Sequence, residues 1–292
     1  MIKKMLFASL ALAFLTTSCN NDDDNSSEVD MSELTLNLDG LEDLGDDYVY
    51  EGWIIVDGTP ISTGVFSSVT FPQTFDVRTS ELEDASAFVL SIEPKVDDDP
   101  APATTKILSG DFSGDTANVN STGLVGDFSA ASGVYILATP TDMDDTNEES
   151  GVWFLDNSSG TPETGLELPE LNGGWIYEGW AVINGVPVST GTFLTVSDFD
   201  DNAFTSPYKG DDGDGPSFPG EDFLQNAPDG LSFPTDLKGV TIVVSVEPVP
   251  DNSTAPFTFK PLAHVVPSDA MNHTVITMGE GPVSTISGSV NR

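Results

Sequence analysis

Apolar residues in this chain come in short runs that alternate with polar ones and stop at glycine, proline or aspartate. Leu34, Leu36 and Leu38 are spaced by Thr35 and Asn37, the period of a half-buried strand. Residues 49–56 predict a second strand, Asp57-Gly58 a tight hairpin turn, and residues 61–69 the returning strand. Residues 71–82 read as loop, and 88–93 as a strand that Pro94 ends. Further short strands are expected at 106–108, 133–138, 152–155, 240–246, 257–259, 264–266, 274–278 and 283–286. No stretch keeps helical periodicity over three turns, and the apolar runs are rich in β-branched residues. The pattern predicts an all-β chain of tandem antiparallel β-sandwich or barrel-like domains.

The tandem arrangement comes from an internal repeat. YEGWIIVDGTPISTGVF at 50–66 returns as YEGWAVINGVPVSTGTF at 177–193, with 10 of 17 positions identical. A second mark, VLSIEP at 89–94, returns as VVSVEP at 243–248, so the second unit carries about 27 more residues between its marks. The expected organisation is a signal peptide at 1–18, an acidic tether at 19–30, a first β domain at 31–156, a linker at 157–165 and a second β domain at 166–292. Repeated core and turn positions are Tyr50, Trp53, Gly58, Pro60, Gly64 and Phe66, matched by Tyr177, Trp180, Gly185, Pro187, Gly191 and Phe193. The tryptophans have the bulk to pack on a sheet, and the tyrosines can bury a ring while leaving the hydroxyl near solvent. Glu51 and Glu178 are repeated carboxylates, read as facing solvent or a backbone amide, with ligand binding as the alternative. The Ser-Thr-Gly at 62–64 and 189–191 offers hydroxyls without a repeated base, since His264 and His273 both lie in the second unit.

Charge narrows the partners. The chain has 9 basic and 48 acidic residues, and removing residues 1–18 takes Lys3 and Lys4 but no acid, which leaves a net charge near −41. Such a surface repels nucleic-acid phosphates and anionic lipids, so no nucleic-acid partner is expected. The extra residues of the second unit form an acidic, glycine-rich insertion where Asp211, Asp212, Asp214, Glu221 and Asp222 crowd together. Flexible, oxygen-rich loops suit calcium, so these five are candidate calcium ligands, although their spacing is not that of an EF-hand and no cofactor is required. Paired carboxylates also serve hydrolases, but no pair stands out, and neither zinc-ligand spacing nor a nucleophile elbow occurs. The expectation is a protein that is not an enzyme, with a carboxylate hydrolase as the rival.

The N-terminus gives an address. Lys3 and Lys4, an apolar stretch at 5–15 too short to span a membrane, and Thr16, Thr17 and Ser18 precede the single cysteine, Cys19. This resembles a bacterial lipoprotein signal peptide, which implies lipidation of Cys19 and a membrane partner through the N-terminal lipid. The NNDDD that follows at 20–24 resembles the acidic run of surface-exported lipoproteins in the Bacteroidetes group. Together they imply an outer-membrane lipid anchor at the cell surface, with a periplasm-facing position as the alternative.

A strand with a tryptophan, a DG or NG turn, PxSTGxF, and a later strand ending in EP before a proline-containing turn resemble the extracytoplasmic, C-terminal domain of anti-sigma-K factors. Residues 50–66 with 88–108 carry that pattern, and 177–193 with 240–261 carry it again. The resemblance implies a β domain outside the cytoplasm. In that family a separate cytoplasmic segment, joined by a membrane helix, holds the sigma factor, and the sequence shows neither after its signal. The expected role is therefore binding or structural, toward an envelope protein or glycan, with an envelope-stress sensory role as a further reading.

Overall fold

The structure is a computed structural model that describes residues 29–251 and 253–292. The signal segment, Cys19 and the tether up to residue 28 lie outside the described residues. The all-β expectation holds.

The first strands are β1 (Met31–Asp39), β2 (Tyr48–Val56), β3 (Thr59–Phe66) and β4 (Gln73–Arg78), followed by a single helical turn and a half, α1 (Thr79–Asp84). Then come β5 (Ala87–Pro94), β6 (Lys106–Ser113) and β7 (Thr116–Asn120). Short strands β8 (Ser132–Leu137), β9 (Gly151–Trp153), β10 (Leu155–Asp156), β11 (Glu163–Thr164) and β12 (Leu166–Glu167) lead to β13 (Trp175–Ile183) and β14 (Val186–Phe193). The remainder is β15 (Gly220–Asp222), β16 (Thr241–Pro248), β17 (Phe259–Val265), β18 (Ile276–Thr277), β19 (Gly279–Glu280) and β20 (Ser287–Asn291).

An eight-stranded antiparallel sheet runs β3-β2-β5-β6-β7-β20-β1-β4. Its outer strands approach each other where the Phe66 and Phe75 rings lie 5.7 Å apart, so the sheet is nearly a closed barrel. A five-stranded sheet, β14-β13-β16-β17-β19, repeats the order β3-β2-β5-β6 in its first four strands. A third sheet, β12-β8-β9-β15 with β18 on β8, joins strands from between the two repeats to β15 and β18 from within the second, and β10 and β11 pair by themselves. One apolar core includes Tyr50, Phe88 and Ile107 from the first repeat and Tyr177, Val244 and Phe259 from the second. The two repeats also meet at Thr105, whose hydroxyl donates to the carbonyls of Gly174 and Val249, each at 3.1 Å.

The repeated turn is a backbone requirement. Asp57 and Gly58 have φ of 49° and 78°, and Asn184 and Gly185 have 52° and 83°, the left-handed pair that a two-residue hairpin loop needs. Both hairpins then shift register at the same place, between Gly52 and Trp53 and between Gly179 and Trp180.

Two sequence expectations change. Residues 71–82 are not loop: Gln73, Phe75 and Val77 turn inward while Thr74, Asp76 and Arg78 stay exposed, and this period-two edge strand was masked by its polar composition. Buried Leu82 then anchors α1. Nor does the chain end with a strand at 283–286 in the second unit: β20 inserts between β7 and β1 of the first sheet, pairing Val290 with Ala117 and Leu36. Arg292 locks that return, donating to the carbonyls of Leu82 (2.7 Å), Ala85 (2.9 Å) and Gly114 (3.1 Å) and lying 4.6 Å from the Phe112 ring centre.

Candidate functional site

Along β2 and β13 the tyrosines face the core and the neighbouring Glu and Trp face the other way. Tyr50 and Tyr177 are buried, and their hydroxyls donate to the carbonyls of Glu42 (2.8 Å) and Pro169 (2.6 Å) instead of reaching solvent. On the opposite face Glu51 pairs across the sheet with Ser91, and Glu178 with Ser245. That register puts a Trp, two Ser and two Glu side chains together in each repeat.

In the first repeat the Trp53 indole N–H donates to Ser91 Oγ at 2.8 Å, Ser91 donates to Glu93, and Ser62 donates to Glu51. The second repeat copies each bond: Trp180 to Ser245 Oγ at 2.8 Å, Ser245 to Glu247, and Ser189 to Glu178. The glutamate of each EP pair also staples the loop that follows. Ala103 N–H donates to Glu93 Oε1 at 2.8 Å, and Phe257 N–H to Glu247 Oε1 at 2.9 Å. Lys106 and Lys260 close the loops by donating to the carbonyls of Ala103 (3.2 Å) and Phe257 (2.5 Å). A signal for this was present in the chain but missed: APATTK at 101–106 and APFTFK at 255–260 share A-P-x-T-x-K in the same register as the EP marks. The partners of Glu51 and of Glu178 Oε1 are serine hydroxyls, neither solvent nor a backbone amide.

The repeats differ in burial. Around Glu51, Glu93 and Asp97 lies an open cleft of about 490 Å³. Asp97 is exposed and accepts the Asp99 N–H at 2.8 Å. In the second repeat Glu178 and Glu247 are buried and Asp251 is half-buried. Oxygen atoms of these three lie within 4.8 Å of one another, the one such group of carboxylate, histidine or cysteine ligands among the described residues. A cation fits there on charge and donor type. Burial first, and then the neighbouring carboxylates, push Glu178 and Glu247 well above the ordinary carboxylate range.

The five insertion carboxylates do not form one cluster. Asp211 and Asp212 are exposed, Asp214 pairs with Lys209, and Glu221 and Asp222 are buried on β15. Glu221 accepts from the Ser206 hydroxyl and from the Asp222 N–H (2.9 Å). Asp222 accepts from the Trp153 indole (2.8 Å) and the Thr141 N–H (2.9 Å). Asp222 therefore ties the insertion to β9 and to the turn after β8, and Glu221 ties β15 to Ser206 within the insertion. Burial raises Glu221 to about 8 and Asp222 to about 6. Of the histidines, His264 Nδ1 lies 3.0 Å from the Tyr135 hydroxyl, and His273 Nε2 lies 3.1 Å from Glu148. Neither is part of the Ser–Glu networks.

No characterised protein and no solved structure matches the chain. The family described as anti-sigma-K factor rskA, C-terminal, matches residues 26–107, a stretch that holds the whole first network and ends one residue past Lys106.

Proposed function

We propose that this chain is a non-catalytic, lipid-anchored envelope protein carrying two copies of the anti-sigma-K-type outer domain in a binding or structural role. The observation that carries this reading is the recurrence, bond for bond, of the Trp–Ser–Glu–loop network of the family-matched stretch in the second repeat. In each repeat one Ser–Glu pair, Ser91 with Glu93 and Ser245 with Glu247, is spent on holding a loop against a sheet, which is a structural use of groups that a hydrolase would leave facing substrate.

Aromatic placement favours a scaffold over a sugar-binding face. Trp53, Trp153, Trp175 and Trp180 are each at most 3% exposed, so none offers a stacking platform for a sugar ring. The family match supports an extracytoplasmic, periplasm-facing side, and the signal segment with Cys19 supports a lipid anchor and, with its acidic run, the cell surface. An envelope-stress accessory role is the second reading, and it too draws on the family match.

The test is chemical crosslinking on intact cells followed by identification of the partners, beside a glycan-binding screen of the purified protein. A recurrent envelope-protein partner with no glycan bound supports the reading. Turnover of a glycan or peptide substrate that Glu178→Gln or Glu93→Gln abolishes would replace it with the hydrolase.

A further inference from the structure

We propose that the second repeat binds a hard divalent cation, of calcium's coordination preference, through Glu178, Glu247 and Asp251. The three carboxylates come from β13, β16 and the loop after β16, and their ligand atoms lie within 4.8 Å of one another. Calcium–oxygen distances of about 2.3–2.6 Å place two ligands on one ion at most about 5 Å apart, so the group is already spaced to share an ion.

The independent sign of a missing partner is Glu178. Its side chain is 5% exposed; Ser189 occupies Oε1, while the buried Oε2 meets no donor and the carboxyl lies against that of Asp251. A buried carboxylate oxygen without a donor costs free energy unless a cation or a proton meets it. Glu247, fully buried, keeps Oε1 engaged with Ser245 and the Phe257 N–H, and its Oε2 has a longer contact of 3.2 Å to the same N–H. Lys260 approaches from β17 but shares its charge with Glu42, and its Nζ donates to the Phe257 carbonyl.

Asp251 gives the route in. With Glu42, Asp43 and Asp46 it lines a cleft of about 370 Å³ between the repeats, and four acidic side chains there concentrate cations. Three protein carboxylates leave the rest of the coordination shell to water, which suits calcium's flexible shell better than the strict octahedron of magnesium. The affinity expected for so few protein ligands is that of extracellular calcium modules, on the order of 10⁻⁴–10⁻³ M.

The first repeat is the internal control. Its counterparts are Glu51, Glu93 and Asp97, but Asp97 is turned out into solvent and its Oδ1 accepts the Asp99 N–H. The second site alone closes.

The experiment is calcium calorimetry and terbium luminescence, excited through tryptophan, on the full chain in detergent at about 0.15 M salt. One saturable site is expected. Asp251→Asn, a half-buried loop change that leaves the core intact, is expected to weaken it at least tenfold, as is Glu178→Gln. Glu51→Gln and Asp97→Asn leave it unchanged. Absence of a saturable site, or a site that survives Asp251→Asn, would overturn the proposal.

Discussion

Replacing Glu221 by glutamine stabilises the protein at alkaline pH and does little at acid pH. Glu221 is 2% exposed on β15, and burial raises its carboxyl from 4.5 to about 8, with Asp222 and Asp200 adding to the shift. The folded state then keeps a proton that the unfolded chain releases above about pH 4.5. The stability this group contributes is fully present below pH 4.5 and is lost as pH rises through about 8. At about 1.4 kcal/mol per pH unit the full span is about 5 kcal/mol, and relaxation with water entry reduces what is realised. Glutamine keeps the shape, accepts the Asp222 N–H and donates to the Ser206 hydroxyl, but carries no proton to lose. The variant should therefore gain about 2–4 kcal/mol over wild type at pH 8 relative to pH 5. Urea unfolding of both proteins at the two pH values reads this directly. A stability difference that is the same at pH 5 and pH 8 would refute the assignment of a buried, protonated Glu221.

Three further outcomes follow from the fold. Trp53→Phe and Trp180→Phe each lose one buried indole bond to serine and leave that hydroxyl short of a donor; urea unfolding should show a loss of about 1–3 kcal/mol for each, and a cost confined to one repeat would show the networks to be unequal. Gly179→Ala puts a Cβ 2.2 Å from Thr190 Oγ1 and 2.7 Å from the Phe154 ring, so a thermal scan should register a loss of about 1–3 kcal/mol. Deleting residues 287–292 removes a central strand and the Arg292 lock from the eight-stranded sheet, and limited proteolysis should then degrade the first repeat as fast as the second or faster.

The chain announced its strands and its repeat because both depend on short-range pattern. Alternation at Leu34, Leu36 and Leu38 and the Asp57-Gly58 and Asn184-Gly185 turns fix local geometry, and the structure bears them out. Long-range placement was not legible. Nothing near Val290 says that it pairs with Leu36, since that partnership depends on where the two ends of the chain meet. The candidate ligands show the same limit. Sequence proximity grouped Asp211, Asp212, Asp214, Glu221 and Asp222, whereas strand register separates the exposed loop acids from the two buried ones. The cluster that does form joins Glu178 to Glu247 and Asp251, far along the chain, because β13 and β16 are neighbours in the sheet. The nearest available clue was the A-P-x-T-x-K recurrence, which extends the EP mark through the loop that holds Asp251.

The claim on which the account most depends is that both repeats stand outside the cytoplasm on an acylated Cys19. Proteinase K treatment of intact cells, with membrane fractionation and labelled-palmitate incorporation on the same samples, tests it in one experiment. The account predicts a processed, palmitate-labelled, membrane-bound protein whose repeats the protease reaches once the outer barrier is open or without opening it, and loss of label in Cys19→Ala. Recovery of the unprocessed, unlabelled chain from the cytosol would contradict it.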